Sequence, residues 1–282
     1  MAMINDYDLM EYFKEDVPYL DLTTSIQEAS AYKVKLEIFT REDVIVSCSE
    51  EAKRIAELLG CEILHYVPSK QTAVKGEVVL SFIGSYETIH QVWRRAQNIL
   101  EYSCKIATYT FQMREAIHAV NPRCELLTTR KSFPFAKSFC IRSVINGGAM
   151  PHRLGLSETV LFFPQHRIIY PSDEAFYKAI DDFKTKVPEK KIVVEAETLE
   201  EATILMQKGV DVIQMDKVDI ETLRQMVVYR NTHFPTVKIL AAGGINKDNA
   251  SFYASTGIDG VVTTSVYFSG IADMGSRMEI VE

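Results

Sequence analysis

IVVEAETLEEATILMQKGVDVIQMD, residues 192–216, is the stretch that decides the fold. Ile192-Val193-Val194 is a short apolar run that ends on the carboxylate of Glu195. Thr198 with Glu201 makes a capping box and opens an amphipathic helix near 198–208. Asp211–Met215 is a second apolar run, closed by Asp216. Strand, helix, strand at roughly 20–25 residues per unit means a βαβ crossover, and such crossovers build a parallel sheet.

The same rhythm extends in both directions. Downstream come a helix near 219–231 that Asp219 can cap, a run at Val237–Ala241, a helix near 247–255 that Asn246 can cap, and a run at Gly260–Thr263. Upstream lie Glu125–Thr129, Thr159–Phe163 and a helix near 173–186. That makes about six strands, one or two short of an eight-stranded barrel. No sequence repeat is visible beyond the rhythm.

Before residue 125 the pattern is different. Residues 6–30 read as short helix and loop, with Asp21-Leu22-Thr23-Thr24 as a turn or cap. Val34–Thr40, Val44–Cys48, Ile63–Val67 and Glu77–Ile83 are strand-like, with a helix at Glu50–Leu59 that Gly60 ends. Together they predict an N-terminal α/β layer of antiparallel strands. From Glu87 to about Val120, Ile89, Val92, Trp93, Ala96, Ile99 and Leu100 recur at helical spacing, and no proline intervenes until Pro122. A break into two helices is expected near Ser103–Thr108.

With 282 residues there is room for one large domain or two modest ones, and 47% hydrophobic with 24% charged residues is ordinary for a soluble protein. No apolar run approaches the ~18 residues of a membrane span, and the N-terminus lacks a signal pattern, so a cytoplasmic protein is expected. A formal charge of −7 argues against nucleic-acid binding. Cys48, Cys61, Cys104, Cys124 and Cys140 are scattered and form no CxxC, which predicts reduced core thiols rather than disulfides or a structural zinc.

Against that acidic background, residues 128–160 stand out. Arg130, Lys131, Lys137, Arg142, His152 and Arg153 lie there with no Asp or Glu between Arg130 and Arg153. They alternate with Phe133, Phe135, Phe139, Ile141, Val144 and Ile145, so the segment is partly buried, and buried cations need anionic partners. Together with Gly147–Gly148 this reads as an anion site; the plainer reading is a solvated basic loop. Barrel strands carry function at their C-terminal ends. Those ends are Arg130 and Lys131, Glu195, Asp216, Gly243–Gly244, and Thr263-Thr264-Ser265. Glu195 and Asp216 each read alone as an ordinary strand-end carboxylate; as a pair on neighbouring strands facing a cationic cluster they suit a metal-bound, polyhydroxylated substrate, accepting ribose hydroxyls or holding Mg²⁺. Gly243–Gly244, between a strand and a helix, favours a phosphate at the helix N-terminus, or is only a tight turn.

Thr129-Arg130-Lys131, Gly147-Gly148 and His152-Arg153-Leu154-Gly155-Leu156 resemble the Thr-Arg-Lys, Gly-Gly-Gly and His-Arg-x-Gly-Leu signature of the quinolinate phosphoribosyltransferases, the carboxylating nicotinate-nucleotide pyrophosphorylases. The continuation Ser157-Glu158-Thr159, an apolar pair and Gln165-His166-Arg167 is similar to the molybdenum-associated ModD branch. The resemblance covers most of the chain. It implies an incomplete α/β barrel over 113–267 and an N-terminal α/β sandwich domain over 1–112, with 268–282 packing back on the latter. It also implies at least a homodimer with a site shared between subunits. Arg94 would be the substrate arginine that reaches the neighbouring subunit, with Trp93 where the family has Glu. Thr129, Arg130, Lys131, His152, Arg153, Lys217, Gly243, Gly244, Thr264 and Ser265 would bind substrate, and Glu195 and Asp216 would face the ribose and Mg²⁺. The family's Leu-Ile-Lys-Asp-Asn-His reads Leu161-Phe162-Phe163-Pro164-Gln165-His166 here, so Phe163 replaces an active-site Lys. Lys217 stands where the family has Asn, and Ala242 lacks the hydroxyl usual before Gly-Gly.

Three functions follow. The first is a Mg²⁺-dependent transfer from phosphoribosyl pyrophosphate to a nitrogen heterocycle with fewer charges, or a larger ring, than a pyridine dicarboxylate. The second keeps quinolinate itself, giving nicotinate mononucleotide, CO₂ and pyrophosphate in NAD biosynthesis. The third is a non-catalytic protein that binds a nucleotide or an oxyanion such as molybdate.

Overall fold

Along Lys33–Thr40 every second side chain is buried, with Leu36 and Ile38 fully enclosed, so this segment is a strand with one face on a core. It is β1 of a computed structural model that describes residues 4–27 and 32–281. Residues 28–30, within the stretch read as helix and loop, lie outside the described residues.

The chain divides into two units, and the first comprises the residues up to Phe111, Ser132–Gly148 and those from Tyr267 onward. Here α1 (Asp6–Lys14) and α2 (Leu22–Gln27) precede β1. Asp21 caps α2, its Oδ1 accepting the Thr23 N–H at 3.0 Å. After β1 come β2 (Val44–Ile45), α3 (Ser49–Leu58), β3 (Glu62–Tyr66), β4 (Thr72–Ala73) and β5 (Val78–Ser85). The strand expected to reach Cys48 stops at Ile45, and Cys48 turns to φ 59° to start α3. With β13 (Met274–Ile280), the unit forms an antiparallel sheet in the order β13-β1-β5-β3, beside a β2–β4 pair. Its core joins Leu36, Ile38, Leu80 and Phe82 to Ile55 of α3 and to Ile89, Val92 and Leu100 of α4 (Tyr86–Val120).

Two expectations fail in this region. α4 is one helix of 35 residues, with no break near Ser103–Thr108. No Pro or Gly interrupts it, and Thr108 donates its hydroxyl to the Cys104 carbonyl at 2.7 Å, so the polar residues are satisfied without leaving the helix. Ser132–Gly148, read as part of the barrel, belongs to the first unit and forms α5 (Lys137–Asn146). Tertiary contacts explain this. Arg142 pairs with Glu51, Asn146 donates to Ser47 at 2.9 Å, and a Cβ on Gly147 would sit 2.5 Å from the Ala107 carbonyl oxygen. Gly147 is therefore a close-packing glycine against α4, and neither it nor Gly148 lines the cavity at the strand ends of the second unit.

The second unit, Gln112–Lys131 and Ala149–Val266, holds a parallel sheet of seven strands in the order β7-β6-β12-β11-β10-β9-β8. They are β6 (Glu125–Thr128), β7 (Met150–Pro151), β8 (Val160–Phe162), β9 (Ile192–Ala196), β10 (Val212–Asp216), β11 (Lys238–Ala242) and β12 (Gly260–Thr263). Between them run α6 (Pro164–Arg167), α7 (Asp173–Lys186), α8 (Leu199–Gln207), α9 (Ile220–His233) and α10 (Ala250–Ala254). The two-residue β7, ending in a proline, escaped the sequence count because it has no room for an apolar pattern; it sits at the sheet edge, where a proline is tolerated. β7 and β8 are the two edges and do not pair, so the barrel is incomplete. Asp219 caps α9 through the Thr222 N–H at 2.9 Å. The capping box at α8 is half formed: Thr198 accepts the Glu201 N–H, but Glu201 turns its carboxylate to Arg167 and to the Glu197 N–H. Asn246 does not cap α10, whose N-cap position is Asn249.

Candidate active site

Parallel strands bring their C-terminal ends to one rim, and in the second unit that rim surrounds a cavity of about 630 Å³. Every strand of the sheet contributes. Thr129, Arg130 and Lys131 follow β6, His152 and Arg153 follow β7, and Phe163 follows β8. Glu195 comes from β9, Gln214 and Asp216 from β10 with Lys217 after it, Gly243 and Gly244 follow β11, and Thr264 and Ser265 follow β12.

Short backbone extensions of the sheet place the cations. The Thr129 N–H donates to the Thr263 carbonyl at 3.0 Å, and the His152 N–H to the Thr128 carbonyl at 2.9 Å. Thr129 and Thr264 share a hydroxyl hydrogen bond of 2.8 Å across β6 and β12. Arg153 is only 8% exposed, and its Nη1 reaches the Thr159 carbonyl at 3.5 Å. Burial, and then the neighbouring Arg130 guanidinium, push Arg153 below its ordinary value, although an arginine keeps its charge. Burial and then Arg153 push His152 down as well, which favours its neutral, hydrogen-bonding form. Among the described residues no carboxylate pairs with Arg130, Lys131 or Arg153.

The acids come from β9 and β10. Glu195 on β9 is in register with Gln214 on β10, whose amide donates to its Oε2 at 2.9 Å. Burial raises Glu195 above the usual carboxylate range, and the Asp216 charge adds to the rise. Asp216 has the Lys217 ammonium 3.8 Å away. Lys217 adopts φ 54°, and Gly243 faces that bend. A Cβ on Gly243 would lie 2.5 Å from Lys217 Cγ and 2.7 Å from Asp216 Oδ1, so only glycine fits. The expected helix N-terminus behind Gly243–Gly244 is missing. α10 begins at Ala250 and has five residues, and Asn246 and Asn249 fill the gap with a side-chain-bonded turn. The reason is local: Asn246 accepts the Asp248 N–H at 2.9 Å, a bond that competes with helix.

The remaining lining is apolar. Leu161, Phe163, Ala242, Ile245 and Val262 form it, and Phe163 lies beside His166 with ring centroids 5.6 Å apart. The His166 Nδ1 accepts the Phe163 N–H at 2.9 Å and so caps α6.

The structure thus brings together Thr129, Arg130, Lys131, His152, Arg153, Glu195, Asp216, Lys217, Gly243, Gly244, Thr264 and Ser265. It does not bring Arg94 there. That residue is exposed on α4 in the first unit, its guanidinium 5.0 Å from the Trp93 ring centroid. Lys137 and Arg142 are absent from the cavity too. Sequence reasoning passed over Gln165, Gln214 and Asn246, all of which line it. Gln214 left a usable signal, an amide in the middle of an apolar strand. Among the described residues no cluster of three or more His, Cys, Asp or Glu side chains could hold a metal by itself.

The family description "Quinolinate phosphoribosyl transferase, C-terminal domain" matches residues 106–274, and "Quinolinate phosphoribosyl transferase, N-terminal domain" matches residues 21–104. The chain is 30% identical to the ModD protein of Pasteurella multocida over 274 residues, 97% of each chain. It is 36% identical to the ModD protein of Rhodobacter capsulatus over 251 residues, 89% of this chain and 96% of that one. The nicotinate-nucleotide pyrophosphorylase (carboxylating) of Mycobacterium leprae is 25% identical over 261 residues, 89% of this chain and 90% of that one. Among solved structures, NadC from Streptococcus pyogenes superposes with a TM-score of 0.89 at 24% identity, covering 100% of both chains, which is a likeness of fold. Because matches to both domains span the barrel rim and the antiparallel sheet alike, the chain belongs to the quinolinate phosphoribosyltransferase family and is an enzyme of the pentosyltransferase type.

Proposed function

We propose that the chain transfers the phosphoribosyl group of phosphoribosyl pyrophosphate to a ring nitrogen of an aromatic heterocycle. The observation that carries this is Arg153, a buried cation with no carboxylate partner among the described residues, beside Arg130 and Lys131 in the same cavity. An uncompensated buried guanidinium is costly, and a pyrophosphate supplies the missing charge. The ring nitrogen's lone pair forms the bond to C1′ as the C1′–oxygen bond breaks, and that electron pair leaves with pyrophosphate. Arg130, Lys131 and Arg153 stabilise the growing negative charge on the leaving group. Thr264, Ser265 and the Gly243–Gly244 turn hold the ribose phosphate, and Lys217 adds charge beside it. Glu195 and Asp216 accept the ribose hydroxyls. Mg²⁺, when bound, neutralises pyrophosphate; two carboxylates with substrate oxygens and water suit it, and Glu195 and Asp216 would hold it. His152 donates or accepts as a neutral group. No side chain acts as a nucleophile.

The apolar lining residues Phe163, Leu161 and Val262 favour a base with fewer charges than a dicarboxylate, and Phe163 offers it a stacking face. Quinolinate is the second reading, favoured by the name of the Mycobacterium leprae relative. Arg94 would complete the site from a second copy in a homodimer. Five free, buried cysteines support a reducing, cytoplasmic setting. The test is pyrophosphate release from phosphoribosyl pyrophosphate and Mg²⁺ over a panel of nitrogen heterocycles. Faster release with monocarboxylates or uncharged rings than with quinolinate is the expected result. Absence of calorimetric binding of phosphoribosyl pyrophosphate would remove the proposal.

A further inference from the structure

Arg167 closes α6, the short helix whose leading residues Phe163 and Gln165 line the cavity. Its own side chain is 8% exposed and is not among the cavity residues. One terminal guanidinium nitrogen donates to the Glu201 carboxylate and the other to the main-chain carbonyl of Glu195. The guanidinium carbon lies 5.0 Å from the Phe176 ring centroid. Glu201 in turn accepts the Glu197 N–H at 3.1 Å and gives its own N–H to Thr198 at 3.1 Å. One arginine therefore joins three pieces: the end of α6, the last residues of β9 and the first turn of α8.

Stability alone is a weak reason for this arrangement, because well-packed apolar residues often replace a buried ion pair at no loss. A planar fork with a donor on each arm fixes direction, which an apolar contact does not. What is fixed here is the main chain of β9 at Glu195 relative to α6 and Phe163 at its start.

We propose that Arg167 is a positioning residue that holds the base wall of α6 in register with Glu195, and so aligns the heterocycle against ribose C1′. This rests on the phosphoribosyl-transfer reading. In Arg167→Met, kcat should fall about 100-fold, the usual order for a small misplacement of reacting groups. The dissociation constant of inorganic pyrophosphate with Mg²⁺ should stay within about twofold, since Arg130, Lys131 and Arg153 are untouched. Arg167→Lys should recover part of the loss, and Glu201→Gln should lower kcat in the same direction, by about tenfold. Amide exchange should quicken at 163–169 and 195–201 and nowhere else in the second unit.

An unchanged kcat in Arg167→Met overturns the proposal, as does a loss of pyrophosphate binding in step with kcat, which would make Arg167 a stability residue only. If Arg167→Met does not fold, Glu201→Gln decides by the same criteria. If the wild-type protein releases pyrophosphate with no heterocycle, it is the reading of the reaction that fails; the coupling of α6 to β9 then stands or falls on the exchange pattern.

Discussion

Arg142 and Arg153 lie eleven residues apart in one basic stretch, and both are largely buried. Arg142 meets Glu51, whose side chain is 5% exposed, inside the first unit. Arg153 meets no carboxylate among the described residues, and a neighbouring charge is the like-signed Arg130. The same residue type in the same stretch thus does opposite things. Where the fold supplies the counter-charge, the arginine is a structural member; where it does not, our proposal has a ligand supply it.

The largest effects should separate this pair. Arg153→Met should cut pyrophosphate release about 10³-fold, the upper range for one transition-state donor, with the urea midpoint unchanged or raised. Arg142→Met should leave turnover per folded molecule alone and lower the unfolding free energy by about 3–5 kcal/mol, because Glu51 is left buried and unpaired. Equal losses of stability in the two variants would erase the contrast.

The two glycine pairs extend it. Gly243→Ala should act on catalysis as well as on stability, displacing Asp216 and Lys217 and costing about 10²-fold in kcat/KM per folded molecule, on top of the strain of a side chain at φ 90°. Gly147→Ala should act on stability, lowering it by about 1–3 kcal/mol as α5 is pushed off α4. Parallel unfolding curves and rates for the two variants would check this.

Phe163→Lys tests what the apolar wall excludes. The added cation should shift preference toward a dicarboxylate base by about tenfold or more in relative kcat/KM, measured in a two-substrate competition. No shift would detach Phe163 from base selection.

The smallest effect concerns pH. Glu195 is raised by burial, so the folded state keeps its proton at a pH where the unfolded chain has released it, and stability falls as pH rises through that window. Glu195→Gln should therefore be more stable than the parent at pH 8, with the gain gone at pH 4. Wild-type turnover should run the other way and fall as the pH drops through the raised value, because in the proposed reaction the ionised form accepts the ribose hydroxyls. Urea unfolding at both pH values and a kcat/KM profile read the two signs.

The barrel half of the molecule was legible because its signals are local. Val212-Ile213-Gln214-Met215 reads as a strand wherever it is placed, Asp219 and Thr198 cap helices through bonds three residues long, and a crossover forces the next strand to be parallel. A strand end then exposes its polar residue at the common rim, which is how Glu195, Asp216 and Arg130 could be named before the sheet order was known. The mistakes arose where a residue had a choice of distant partners. Ser132–Gly148 carries an apolar face that either core could have taken, Thr108 could have broken α4 or folded back on it, and Asn246 bonded its own turn in preference to a helix.

By itself, then, the sequence determined the element types, the parallel rhythm and which side chains stand at strand ends, since each depends on neighbours a few residues away. Only the tertiary structure decided which arginine found an acid, which glycine pair lay at the cavity and that Arg167 spans three elements. Those facts depend on contacts between residues far apart in the chain, where packing and charge pairing, rather than local propensity, set the outcome.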